Sequence, residues 1–244
     1  SRIDRRRWVK RLGWTALGAV IMQGMLGGLT VIYFLPPAIS ISHAGLAQLF
    51  FALIVSLAIF TSKGWHSRYD HRPPLNDWIL SRLALFTPLL IYVQILVGAT
   101  MRHTDAGLAI PDFPLVFGGL WPPVWTAAIS IHFAHRIGAL LVAAVVCATV
   151  GHVLYHHASR RELCRPALLL SSLVLLQIAL GGWTIWSEKH VAVNTAHVAV
   201  GALVWVTALS LTLRVHREWF VTEEQAQRHD ARLDAVAAHS EAQA

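Results

Sequence analysis

Charge is what this sequence has least of. Only 14% of its 244 residues are Asp, Glu, Lys or Arg, whereas 55% are hydrophobic. Such a chain cannot cover a water-facing surface with polar groups, so lipid is its expected solvent and an ordinary soluble domain is excluded. Carboxylates are almost missing from the apolar runs, and no pair is spaced for general acid–base work. No phosphate-binding loop, zinc-ligand pattern or hydrolase triad can be read from it. Cysteine is nearly absent as well: Cys147 lies inside an apolar run and reads as a small buried residue, and Cys164 sits among Arg160, Arg161 and Arg165. Those arginines mark a side expected to be cytoplasmic, where disulfides rarely persist. No cleavable signal is visible either, because the first apolar run is too long for one and has no small-residue cleavage site. The net charge of +7 does not point to nucleic acid, since the basic residues lie between apolar runs and not on one face.

What is present is a repeat. QGMLGGLTVIYFLPPAISISH, Gln23 to His43, recurs 154 positions later as QIALGGWTIWSEKHVAVNTAH, Gln177 to His197. Gln23 aligns with Gln177, Gly27 and Gly28 with Gly181 and Gly182, Thr30 with Thr184, and His43 with His197. Each copy is an apolar run, a short break, and a histidine opening the next run.

Six apolar runs are long enough to cross a bilayer, near 13–35, 43–62, 83–101, 125–155, 167–186 and 192–213. Basic residues alternate between the connections. Arg2, Arg5, Arg6, Arg7, Lys10 and Arg11 precede the first run; Lys63, Arg68, Arg72 and Arg82 follow the second; Arg160, Arg161 and Arg165 follow the fourth; Arg214 and Arg217 follow the sixth. The other connections hold only Arg102 and Lys189. The positive-inside rule therefore predicts a multi-pass protein of the plasma (inner) membrane with both ends of the chain cytoplasmic. The expected fold is all-α: a polytopic membrane helical bundle of six transmembrane helices, arranged as tandem four-helix units with the first unit truncated. On that reading 1–62 holds the last two helices of an N-terminal half and 63–82 is a cytoplasmic linker loop. Residues 83–215 form a complete C-terminal four-helix half, and 216–244 a cytoplasmic tail. The outer loop 102–124, rich in Gly, Pro and aromatics, is expected along the membrane surface with Phe113, Phe117 and Trp121 at headgroup depth.

Fourteen histidines remain to be sorted. His66, His71, His152, His156, His157, His190, His216, His229 and His239 fall in loops, at span ends or in the tail and read as solvated or interfacial. His103, beside Arg102 on the outer loop, stands between these and the membrane group. His43, His132, His135 and His197 lie at membrane depth, where an ionisable group persists mostly by pairing or by binding something. Spans four and six both run inward from the outer side, so His135 and His197 can share a depth. Two imidazoles facing across an apolar bundle are what axial ligation of a haem iron requires. A helix–helix hydrogen bond or a proton relay would use the same residues without a cofactor. His132, one turn before His135, is an alternative ligand. Arg136 favours His135, because a buried guanidinium needs an anion and a haem propionate would supply one. Gly27–Gly28 and Gly181–Gly182 are expected to admit a close approach, of either a helix or a macrocycle.

QILVGATMRHTDAGLAIPDFPLVFGG (94–119), HFAHRIG (132–138) and the two repeat segments together resemble the haem A synthase family, over about residues 13 to 215. The resemblance implies an eight-helix membrane oxidoreductase of two similar four-helix halves. Its members convert the C8 methyl of haem O to a formyl group, giving haem A for terminal oxidases. It further implies that His135 and His197 hold a resident haem b, and that His43 belongs to the substrate half with its partner upstream of Ser1. Haem O is the implied substrate; haem O synthase, oxidase assembly factors or a second copy of the chain are the implied partners. Two departures stand out: Ile110 and Val116 occupy positions where relatives often carry cysteine, and His132 occupies the place of the glutamate implicated in the other half. A membrane cytochrome b that only carries electrons would use the same histidine pair.

Overall fold

The computed structural model describes residues 6–63, 65 and 75–220. Among these described residues six helices carry the fold: α1 (Arg7–Ile32), α2 (Pro37–Thr61), α3 (Trp78–His103), α4 (Ala127–His156), α5 (Arg161–Trp186) and α6 (Val191–Val215), with a 3-10 turn at Ala106–Leu108. All six are long and apolar enough to span a bilayer, and the chain is a multi-pass helical membrane protein. Most helices outrun the apolar stretches that predict them. α1 takes in Lys10 and Arg11, and α3 takes in Trp78 to Arg82, which composition assigns to the linker. Helix ends follow capping chemistry and not the edge of hydrophobicity. Asp77 accepts the Leu80 amide at 2.9 Å to start α3, Thr126 accepts the Ile129 amide at 3.2 Å to start α4, and Pro37 occupies the first turn of α2. Residues 64, 66–74 and 221–244 of the expected linker and tail lie outside the described residues.

α3, α4, α5 and α6 form a ring in which each packs on its neighbours and α6 closes back on α3; α2 leans on α3 and α6, and α1 packs principally on α2. Half of the most apolar window of α6 is buried, against 11% for α1, so α6 is the central post and α1 the outermost helix.

The α3–α6 seam follows from one proline. Pro88 lies inside α3 and has no N–H for the Ala84 carbonyl four residues earlier. Thr212 of α6 donates its hydroxyl to that carbonyl, and Trp205 Nε1 donates to the Pro88 carbonyl at 3.1 Å. On the α3–α4 seam, the buried Thr87 and Thr149 hydroxyls pair at 2.9 Å. An orphaned carbonyl away from water would be costly, and Thr212 meets the one that Pro88 leaves.

The repeat is structural as well as textual. α1 ends with Phe34 and Leu35 in the left-handed region, and α5 ends with Glu188 and Lys189 there, at the same offset as the sequence repeat. The Leu35 amide returns to the Thr30 carbonyl at 2.7 Å, and the Lys189 amide to the Thr184 carbonyl at 2.8 Å. Both are the six-to-one bond of a Schellman ending.

At the end of the bundle away from the α3–α4 loop, Trp8, Phe60, Trp65 and Phe220 form an aromatic cluster. Arg6 donates to the Phe60 carbonyl at 2.6 Å, Arg217 donates to the Trp65 carbonyl, and the Leu75 amide reaches Glu218 at 2.6 Å. Residues 216–220 are thus part of the folded body, and His216, expected to be solvated, is buried.

Candidate functional site

His43 is the seventh residue of α2, His197 the seventh of α6 and His135 the ninth of α4. At 1.5 Å per residue all three sit roughly 9–12 Å in from helix ends on the side of the α3–α4 loop. His135 and His197 belong to opposite corners of the α3–α6 ring, and His43 to the flanking hairpin.

Each of these histidines rests on a glutamine and a glycine of the preceding helix. Gln177 Nε2 lies 3.4 Å from His197 Nε2, and a Cβ on Gly181 would stand 3.2 Å from His197 Cε1. The first copy is the same: Gln23 Nε2 lies 3.4 Å from His43 Nε2, and a Cβ on Gly27 would stand 3.1 Å from His43 Cε1. The third instance is new. Gln94 donates to the His135 carbonyl at 2.7 Å and lies 3.0 Å from His135 Nδ1, while a Cβ on Gly98 would stand 2.9 Å from His135 Cε1. The pattern Gln-x-x-x-Gly, present as Gln23–Gly27, Gln94–Gly98 and Gln177–Gly181, marks these cradles in the sequence. The long-range repeat drew attention to two copies; the third falls outside its register, on α3. Helical periodicity puts Gln and Gly, four apart, on one face, so the glycine makes room for the ring that the glutamine contacts.

The glycine pairs divide. Gly27 and Gly181 lie under imidazoles, Gly182 lies under the Phe113 ring, and Gly28 faces open space. Phe113, expected at headgroup depth, packs against Gly182 near the end of α5 with its ring 5.8 Å from that of Trp186.

His132 and Arg136 are committed elsewhere. His132 is 2% exposed, and its Nδ1 accepts the Ile110 amide at 3.2 Å. Arg136 donates to the carbonyls of Leu115 (2.7 Å), Ile110 (3.1 Å) and Asp112 (2.6 Å). Two nitrogens of the guanidinium, for which an anion is expected, meet three loop carbonyls where the loop folds down onto α4, and its Nε is buried without a partner among the described residues. Asp112 in turn accepts the Phe117 amide at 2.8 Å and the Gly118 amide at 2.7 Å. The Gly118 amide is the main cause that holds the Asp112 carboxyl below the usual carboxylate range; partial burial opposes it, and the Phe117 amide and Arg136 add to it. Ile110 and Val116 are buried with Phe133, which Trp121 and Trp125 cap edge-on. Apolar packing and Arg136 therefore fix this loop.

Nδ1 of His43 and of His197 is buried and has no hydrogen-bond partner among the described residues, and the same holds for Oε1 of Gln23 and Gln177. A buried polar atom of this kind calls for a partner, which a water or a ligand can supply. An imidazole that gives one nitrogen to a metal turns its other N–H towards an acceptor, which these amide oxygens can provide.

Fold and site define a class: a polytopic helical membrane protein with histidines cradled in helical hairpins at one end of a four-helix ring. The chain belongs to the COX15-CtaA family of cytochrome oxidase assembly proteins, whose profile matches residues 1–209. It is 30% identical over 239 residues to the heme A synthase of Caulobacter vibrioides, covering 87% of this chain and 66% of that protein. It is 31% identical to that of Mesorhizobium japonicum (83% and 58%) and 26% identical to that of Halalkalibacterium halodurans (86% and 70%). The chain thus spans about two thirds of the length of the curated relatives it matches.

Proposed function

We propose that this chain serves haem A biosynthesis, as the haem-binding part of a membrane oxidoreductase that converts the C8 methyl of haem O to a formyl group. The observation that carries the reading is the pair of cradled imidazoles, His135 on α4 and His197 on α6, at opposite corners of the ring. These residues fit a haem b. They offer neutral nitrogen donors at one end of an apolar bundle, glycines beneath the rings, and a buried His197 nitrogen otherwise without a partner. Bound there, a haem b would supply an electron acceptor close to the substrate.

The chain's own residues would do the rest. Gln94 and Gln177 orient the two rings, and a ring that cannot rotate offers its lone pair without further ordering cost. His132 and Arg136 hold the α3–α4 loop over this end of the bundle, keeping water away from it. His43, built into the same cradle, serves the substrate half. Arg136 fastens the loop through its two terminal nitrogens, and its buried Nε, without a partner among the described residues, still calls for an acceptor such as a propionate. Heme A synthase is what the relatives are called, and family membership supports the same reaction here. The distribution of basic residues among the connections supports a plasma-membrane location with the α3–α4 loop on the outer side.

The test supplies haem O to the full-length protein in membranes and analyses extracted haems by mass. Hydroxylated and formyl products are expected. Their persistent absence from a protein with an intact haem spectrum would assign it instead to electron transfer alone.

A further inference from the structure

Far from the cradled histidines, three donors converge. Asp77 Oδ2 lies 2.8 Å from Nε2 of His152 and 2.8 Å from Nε2 of His157. One ligand atom from each residue falls within 4.8 Å of the other two. Asp77 caps the start of α3, His152 lies in the last turns of α4, and His157 is the cap residue that ends α4. His152 follows His135 by seventeen residues of continuous helix, roughly 25 Å along α4, so this is a separate site.

We propose that Asp77, His152 and His157 bind a divalent cation of the zinc class. Two imidazole nitrogens and one carboxylate oxygen are a three-protein-ligand set that leaves a fourth, water-filled position. The carboxylate is already aimed: its other oxygen accepts the Leu80 amide at 2.9 Å, which leaves Oδ2 free to act as a single ligand. Ligand bonds of about 2.0–2.2 Å in tetrahedral geometry separate donors by about 3.3 Å, so each 2.8 Å contact must open by about half an ångström. The site can give that much, because Asp77 and His157 stand at helix termini and not within helices. The side chains are 13–17% exposed, enough for an ion to enter. Sequence spacing hides the set: the two histidines are five apart, and the carboxylate precedes them by 75 and 80 positions. His157 reaches the same side as His152 only because α4 has ended. The bound ion would clip the start of α3 to the end of α4, and its role is structural.

The experiment uses the full chain, purified in detergent, stripped with chelator, and dialysed against Zn²⁺ with metal analysis and a thermal melt. One tightly held zinc per chain and a raised melting temperature are expected. Both should be lost, with affinity weaker by more than about tenfold, in Asp77→Asn, His152→Ala and His157→Ala. Both should survive in His190→Ala, which probes adventitious binding to an accessible histidine. Asparagine is itself a good helix cap, so Asp77→Asn keeps the start of α3 while removing the ligand charge. Absence of saturable binding in the parent, or equal binding in parent and Asp77→Asn, would overturn the proposal and leave a hydrogen-bonded His–Asp–His triad. The haem spectrum is expected to be unchanged in all of these variants.

Discussion

A single hydrogen atom, the absent side chain of a glycine, decides where His43, His135 and His197 can stand. Gly27, Gly98 and Gly181 each leave room for one ring, and a methyl group at any of them would come within 2.9–3.2 Å of that ring's Cε1. Gly28, one residue from Gly27, meets nothing within 4 Å. These neighbours make a matched pair. Gly28→Ala is expected to raise thermal stability by up to about 1 kcal/mol, because alanine favours helix over glycine. Gly27→Ala, with the same helix gain, is expected to show less gain or a loss because the His43 ring must move, and Gly181→Ala to perturb the haem spectrum through His197. Equal melts for the first two would remove the cradle's steric basis. Much of this was legible beforehand: the repeat singles out Gln, Gly and His in two copies. The third cradle was not, since α3 and α4 are joined by a long loop that takes His135 out of the repeat's register. The partners of Arg136 were equally hidden, because backbone carbonyls of a folded loop have no signature in sequence.

Element by element, the helices follow hydrophobicity, while their ends and seams follow polar chemistry. The six apolar runs locate the six helices, but Asp77, Thr126 and Pro37 set where three of them start. The α3–α6 seam depends on Thr212 meeting the carbonyl that Pro88 frees. Thr212→Val, nearly isosteric, should lower stability by about 1–2 kcal/mol, and Thr212→Ser should restore most of it; melts of the three proteins test this. The α3–α4 loop carries its own pH dependence. The Asp112 carboxyl is depressed in the folded state, so its contribution is full above the unfolded value of about 3.9 and fades as pH falls through the lower folded value. Limited proteolysis of the loop should therefore accelerate only in acid. In Asp112→Asn, loop cleavage should be faster at neutral pH and nearly independent of acidification.

At the scale of the whole molecule, the bundle is polar-poor at its centre and keeps its chemistry at two ends. One end holds the three cradled histidines under a fastened loop; the other holds the aromatic cluster, and near the start of α3 lies the Asp77–His152–His157 triad. An ionisable group at membrane depth persists mostly where a partner or ligand meets it. What composition could not supply is which histidines meet. His152 and His157 read as interfacial singly and prove to share one carboxylate. On the proposed reading His135 and His197 jointly hold a haem. The most direct test of that claim is the absorption spectrum of the purified, dithionite-reduced full-length protein and of its His132→Ala, His135→Ala and His197→Ala variants. A haem b absorption is expected in the parent and in His132→Ala, and is expected to be lost in each of the other two. Absence of that absorption from the parent, or its survival unchanged in His135→Ala and His197→Ala, would contradict the claim.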